Sequence, residues 1–139
     1  MKIMAIDYGD AHTGVAVSDR TGMLCGFSAV VNARRPEAVV EQLCALVKEH
    51  EVTELVLGHP INMDGTRGPR AEKAEAFAET LRDATGLRGT LWDERRTAVD
   101  AHNILAKNGK RAKERKKTVD AVAAALLLEG YLTYKKRNG

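Results

Sequence analysis

The first third of the chain alternates short apolar runs with polar turns. Residues 3–6 are apolar and end at Asp7, and residues 15–17 form a second β-prone run that leads into Ser18. Glycine lies in the turn between the two runs, so they predict a β-hairpin. A third strand is expected over residues 23–31. The hairpin therefore places a carboxylate, Asp7, at the end of a strand that is otherwise apolar.

The remaining two thirds alternate helical and strand patterns. In chain order they predict a helix from Pro36 to near His50, a strand over 54–58, a helix from Pro69 that stops at Gly86, a strand over 89–94, a helix over about 97–107 and a final helix that opens near Thr118. This order predicts an α/β fold with a mixed five-stranded sheet, in which strand 2 is antiparallel, flanked by helices. A length of 139 residues is expected to form one domain, residues 1–139.

Carboxylates follow the ends of the strands that this topology makes parallel. Asp7 ends the first strand, the long connection over residues 59–68 follows the fourth, and Asp93 and Glu94 end the fifth. Parallel strands share one carboxyl edge, where open α/β sheets bind ligands. Asp120, expected in the first turn of the last helix, leans toward the core side by helical spacing. The acids are therefore expected to converge on one edge.

Two structural roles would explain Asp7 and Asp120 without a metal site. Asp7 could simply accept hydrogen bonds from backbone N–H groups of the glycine turn, and Asp120 could complement a helix N-terminus.

Converging carboxylates suit hard divalent cations such as Mg²⁺ or Mn²⁺, which prefer oxygen ligands and keep several waters. Such ions can activate water and stabilise the leaving oxygen when a phosphodiester is cleaved.

The charge distribution favours a polyanionic partner. The net charge is only +3, but residues 107–117 hold seven basic side chains and one acidic one. This run is expected to be a mobile loop that contacts a nucleic-acid backbone through Lys110, Arg111, Lys113, Arg115, Lys116 and Lys117. Arg70, at a helix start on the same edge, is expected to bind phosphate. Aromatic residues make up 4% of the chain, which argues against binding by base stacking.

Nothing in the sequence points to export or a membrane. The N-terminus lacks a signal-peptide core, and no apolar run is long enough to cross a bilayer. Cys25 and Cys44 are far apart and fit thiols in a reducing compartment, so a cytoplasmic location is expected. The oligomeric state is left open by the sequence.

Four segments carry a resemblance that runs nearly from end to end: DYG…TGVAVSD (7–19), GHPINMDGTRGPRAEKA (58–74), DERRT (93–97) and KKTVDAVAAALLL (116–128). With them the chain resembles the YqgF (RuvX) family of RNase H-like nucleases. The family is described both as Holliday junction resolvases and as pre-16S rRNA processing nucleases. The resemblance implies an RNase H-like fold and a catalytic, metal-binding triad of Asp7, Glu94 and Asp120. Asp93 is the alternative to Glu94.

By this resemblance the chain would be a divalent-metal-dependent nuclease, acting on precursor 16S rRNA in ribosome biogenesis or on branched DNA. One departure concerns the first hairpin turn. The family usually carries a basic pair there, whereas this chain reads Asp10-Ala11-His12-Thr13.

Three other functions are considered. A non-catalytic RNA-binding assembly factor would keep the fold without the chemistry. An actin-like sugar or acetate kinase also begins with a strand, an acid and a glycine turn, but needs a second domain. A zinc site on His12, His59 and His102 lacks typical ligand spacing.

Overall fold

The computed structural model describes residues 2–22, 24–60, 64–93 and 112–138, and in the last segment side chains are described for residues 121–136. Five strands form one sheet: β1 (Lys2–Asp7), β2 (His12–Ser18), β3 (Cys25–Asn32), β4 (Val52–His59) and β5 (Gly89–Asp93). Their order is β3-β2-β1-β4-β5. Strand β2 is antiparallel to β1 and β3, and β1, β4 and β5 are parallel. The predicted mixed sheet is confirmed.

Three helices are described: α1 (Pro36–His50), α2 (Pro69–Thr85) and α3 (Ala112–Asn138). Both α1 and α2 begin with the proline that the sequence suggested, and Gly86 ends α2 with a positive φ of 70°. The helix predicted over about 97–107 lies outside the described residues. Among the described helices, none is long and apolar enough to cross a membrane.

The predicted start of the last helix near Thr118 is wrong. Helix α3 begins at Ala112, inside the basic run, so residues 112–117 are helical and not a loop. Lysine, arginine, alanine and glutamate are all good helix formers, and here their intrinsic propensity outweighs the repulsion between like charges. Asp120 is consequently the ninth residue of α3 and does not lie in its first turn.

The helices cover opposite faces of the sheet. Helices α1 and α2 pack on one face, where Val39, Leu43, Phe77 and Leu81 meet β-strand residues such as Met4, Ile6 and Leu57. Helix α3 packs on the other face, where Ala124, Leu127 and Leu128 meet Ile3, Ala5 and Val56. Successive residues of each strand contribute to alternate faces. The strands are therefore apolar on both sides, as expected for a sheet covered on both faces.

Polar and aromatic contacts anchor the C-terminal half of α3 to β4 and β5. The Tyr131 hydroxyl donates to Glu54 in β4, and Lys135 Nζ lies 2.6 Å from Glu54 Oε1. Trp92 in β5 packs edge-on against Tyr131, with ring centroids 5.6 Å apart. These contacts fix the C-terminal half of α3 on its face of the sheet.

Candidate active site

The carboxyl ends of β1, β4 and β5 lie side by side, as predicted. Ile6 is level with Leu57, and His59 is level with Asp93. Asp7, His59 and Asp93 therefore end three neighbouring parallel strands at one edge. This is the edge at which open α/β sheets form their ligand sites.

Asp7 lies on the α3 face of the sheet, half-buried, because it continues the alternation of Ile3 and Ala5. Its cross-strand neighbour in β2 is Gly14. In β4 the residue level with it is Gly58, one position beyond Leu57. Neither neighbour has a side chain, so no protein group from these two strands covers the carboxylate.

The turn after β1 is closed without the help of Asp7. The Gly9 N–H donates to the hydroxyl of the buried Thr13, at 3.5 Å. A Cβ atom on Gly9 would lie 2.3 Å from the His12 carbonyl oxygen, so only glycine fits here. Within the part of the chain that the structure describes, Asp7 makes no hydrogen bond or ion pair. The alternative in which Asp7 accepts N–H groups of the turn is therefore not borne out, and a half-buried carboxylate in this state favours a cation.

Asp93 lies on the opposite face from Asp7. A Cβ atom on Gly89 would contact Leu57 and Leu55, which belong to the α1/α2 core, so Gly89 faces that side. Asp93 is four residues later in the same strand and shares that face. It is also level with His59, whose side chain contacts helix α2. The acid of β5 that the structure describes therefore does not share a face with Asp7.

Asp120 lies on the helix that packs on the same face of the sheet as Asp7. Ala124 and Leu127, four and seven residues later, are buried against the sheet, so helical periodicity assigns position 120 to the same side of α3.

The other predicted site residues fall into three groups. Glu94, Lys110 and Arg111 lie outside the described residues. Lys113, Arg115, Lys116 and Lys117 belong to the first two turns of α3. Arg70 is the second residue of α2 and is exposed.

The histidines considered for zinc have protein partners instead. His12 Nδ1 lies 2.7 Å from Asn32 Oδ1, and His59 Nε2 lies 2.6 Å from Glu75 Oε2. His102 lies outside the described residues. Among the residues that the structure describes, no three His, Cys, Asp or Glu side chains are grouped closely enough to hold a metal ion.

A network centred on Glu75 was not predicted from the sequence. Its carboxylate accepts from Arg67 Nε at 2.8 Å, from a second nitrogen of the same guanidinium, and from His59. These hydrogen bonds hold the pKa of Glu75 below its usual value, and the bonds from Arg67 have a larger effect than the bond from His59. Glu75 thus ties both ends of the 59–68 connection to α2. No spacing signal could have revealed this, because the partners come from separate elements.

A divalent cation fits the carboxylate of Asp7 on the α3 face. Asp7 is partly buried and lies between two glycines, and it needs positive charge that the described residues do not supply. Oxygen donors of this kind suit Mg²⁺ or Mn²⁺ better than zinc, which prefers nitrogen and sulfur.

Comparison with solved structures supports the fold. Thermus thermophilus RuvC in complex with a Holliday junction substrate matches with a TM-score of 0.65 at 14% identity, over 100% of this chain and 98% of that one. A ROK hexokinase from Thermus thermophilus matches with a TM-score of 0.50 at 23% identity, but only over 40% of its own length. At these identities the matches show a shared fold and nothing further.

Comparison of sequences is more specific. The family model described as "RuvX: Holliday junction resolvase" matches residues 1–134. A protein of Halothermothrix orenii named "Putative pre-16S rRNA nuclease" is 40% identical over 137 residues, covering 99% of this chain and 98% of the relative. A protein of Desulfitobacterium hafniense with the same name is 41% identical over 140 residues, covering 100% and 97%. The chain therefore belongs to the RuvX family of RNase H-like proteins and is a nuclease, a hydrolase of phosphodiester bonds.

Proposed function

We propose that this nuclease depends on a divalent metal ion and trims the ends of precursor 16S rRNA, with Asp7, Glu94 and Asp120 as the metal-binding, catalytic carboxylates. The observation that carries the proposal is Asp7. Its carboxylate is half-buried at the sheet edge, without a partner among the described residues, on the face that α3 covers, and helical periodicity assigns Asp120 to the side of α3 that packs on this face. Mg²⁺ is the favoured ion and Mn²⁺ the alternative.

The choice of Glu94 over Asp93 follows from the position of Asp93. Asp93 shares a face with His59 and α2, whereas Asp7 faces α3. Asp93 is therefore poorly placed to share a metal ion with Asp7. Glu94, the acid that the family resemblance implies, is accordingly assigned to the triad and Asp93 is not.

The chemistry divides between the carboxylates and the basic residues. A bound divalent ion would activate water and stabilise the leaving oxygen. Asp7, Glu94 and Asp120 would hold it and orient the scissile phosphate beside it. The basic residues from Lys110 to Lys117 and Arg70 would bind the flanking backbone, which positions nucleic acid without reading its sequence.

The proposal extends to cell location and domain organisation. Both cysteines, Cys25 and Cys44, are free thiols in the structure, as expected in a reducing cytoplasm. The two cores share one central sheet, so residues 1–139 are proposed to act as one domain.

Resolution of branched DNA is the second candidate function. The description of the matching family as Holliday junction resolvase favours it, and the same carboxylates would serve. A non-catalytic RNA-binding factor is disfavoured, because a half-buried carboxylate without a partner among the described residues is costly unless it binds a cation.

The decisive experiment offers purified protein precursor 16S rRNA and four-way DNA junctions side by side, with Mg²⁺, with Mn²⁺ and with chelator. Metal-dependent cleavage of the rRNA is expected, and Asp7→Asn should abolish it. Without metal, Asp7→Asn should leave the melting temperature unchanged or raise it, because it relieves repulsion among the acids. Wild-type cleavage by Asp7→Asn would remove Asp7 from the mechanism, and preferential cleavage of junctions would favour the second function.

A further inference from the structure

A cleft lies at the same sheet edge as Asp7 but on the α1/α2 face. It has a volume of about 420 Å³ and is bounded by the turn after β1, the start of α1 and the first half of α2. The lining residues that matter here are Tyr8, Asp10, Arg34, Lys73 and Phe77. Asp7 and Tyr8 are consecutive, so the cleft and the carboxylate lie on opposite sides of the same strand end.

The floor of the cleft is a rigid aromatic pair. The rings of Tyr8 and Phe77 stack with their centroids 4.0 Å apart and their planes 8° from parallel. Phe77 is buried in the α1/α2 core, which holds the pair in place. A stacked, immobile floor gives a ligand a defined surface and costs little ordering on binding.

Two cationic side chains line the cleft. Arg34 is exposed and makes no ion pair with any residue that the structure describes. Lys73 Nζ lies 3.6 Å from Asp10 Oδ1, and the two side chains are 63% and 85% exposed. An ion pair this exposed contributes little, so Lys73 is available to a stronger anionic partner.

Arg34 lies where it can replace positive charge that the first hairpin turn lacks, since the usual basic pair of the family is absent from that turn. That turn reads Asp10-Ala11-His12-Thr13 and contains no lysine or arginine. The Ala33 N–H donates to the Ala11 carbonyl at 3.1 Å, so the segment that carries Arg34 is joined directly to the turn. Arg34 thus brings positive charge to the turn from the neighbouring strand end.

We propose that this cleft binds a backbone phosphate of the substrate nucleic acid, at a nucleotide flanking the scissile one, through Arg34 and Lys73. The inference rests on the proposed function and deepens it. A strand whose scissile phosphate lies at Asp7 can continue over the sheet edge, and the cleft places two cationic side chains on the far side of that edge. Asp10 opposes binding there, both by repulsion and by pairing with Lys73.

The test is binding of a short fluorescein-labelled RNA hairpin, followed by anisotropy in EDTA over a range of salt concentrations. The double variant Arg34→Gln/Lys73→Gln should lose about tenfold in affinity, and its salt slope should fall by about 0.7 to 0.9 for each phosphate that is no longer neutralised. The control, Lys48→Gln/Arg82→Gln, removes the same charge from the far ends of α1 and α2 and should bind like wild type. Asp10→Asn should bind more tightly than wild type.

Three results would overturn the inference: equal binding by the cleft and control variants, equal loss in both, or competition by a free mononucleotide at the concentration of the hairpin. Cleavage separates this inference from the proposed function. If wild type cleaves RNA with metal but the cleft variant binds normally, only the cleft assignment fails. If the cleft variant loses affinity but wild type never cleaves, the cleft stands and the proposed function fails.

Discussion

At the scale of single residues, the acids that end β5 and β1 lie on different faces of the sheet. Asp93 is level with His59, on the face that α2 covers. Asp7 is on the face that α3 covers. Because strand side chains alternate between faces, a metal ion bound by Asp7 draws its other ligands from the α3 side.

The assignment of Glu94, and not Asp93, to the proposed triad predicts different outcomes for two conservative substitutions. Glu94→Gln should reduce kcat by at least a hundredfold, since it removes a proposed metal ligand. Asp93→Asn should keep kcat within a few fold of wild type. Single-turnover cleavage of precursor rRNA at saturating Mg²⁺ measures both. The assignment is refuted if Asp93→Asn is the inactive variant and Glu94→Gln cleaves normally.

At the scale of elements, α3 is held to the sheet by its C-terminal half. Glu54 is the centre of this anchor, since it accepts from both Lys135 and Tyr131. Partial burial of the Glu54 carboxyl raises its pKa, but the hydrogen bonds from Lys135 and Tyr131 outweigh this effect and lower the pKa below its usual value. The charged form of Glu54 therefore stabilises the folded state.

The anchor predicts a pH-dependent loss of stability in Glu54→Gln. Because the folded pKa is lowered, the stabilisation is complete above the unfolded value of about 4.3 and is lost as the pH falls through the folded value. At pH 7 the variant should lose about 1 kcal/mol of unfolding free energy, a modest value because Lys135 is partly exposed. Urea unfolding measured from pH 7 to pH 3 should show that the difference in unfolding free energy between wild type and Glu54→Gln decreases as the pH falls. Glu49→Gln, an exposed control on α1, should show no such trend, and a difference independent of pH would refute this role of Glu54.

The N-terminal half of α3 changes how the basic residues are presented. Residues 112–117 continue the helix that carries Asp120, so the cations among them are spaced by helical geometry instead of along a loop. A helix also fixes their distance along its axis from Asp120, at about 1.5 Å per residue.

At the scale of the whole molecule, the sheet edge connects two surfaces. The α3 face carries Asp7, and the α1/α2 face carries the cleft with Arg34 and Lys73. Substrate binding is expected to be spread over both surfaces, with the basic start of α3 on one side and the cleft on the other. Phosphate contacts of this kind are sensitive to salt and act together.

Neutralising the six basic residues Lys110, Arg111, Lys113, Arg115, Lys116 and Lys117 should weaken RNA binding irrespective of sequence. The salt slope should flatten by about 0.7 to 0.9 for each phosphate that the variant no longer neutralises. At saturating RNA, kcat should stay close to wild type, because these residues position the backbone and take no part in bond cleavage. Anisotropy measures the affinity and the salt slope, and single-turnover kinetics measure kcat. If affinity and salt slope are unchanged, the nucleic-acid surface lies elsewhere on the protein.

The element pattern, and much of the sheet edge, could be predicted from the sequence alone. Strand β1 ending at Asp7, the prolines that begin α1 and α2, and Gly86 at the end of α2 are local signals, which act within a few residues. The parallel arrangement of β1, β4 and β5 followed from the alternation of strands and helices along the chain. Family resemblance then supplied the assignment of the triad, and this remains a proposal.

Tertiary structure decided the features that depend on partners distant in sequence. The face on which Asp93 lies follows from its register with β4. The partners of Glu75 and Glu54 come from separate elements, and the cleft exists only where β1, α1 and α2 meet. The start of α3 at Ala112 was missed because a run of charges in good helix formers is ambiguous until packing of the same helix further along stabilises it. Local chemistry specifies elements, whereas the register and packing between them specify which side chains meet.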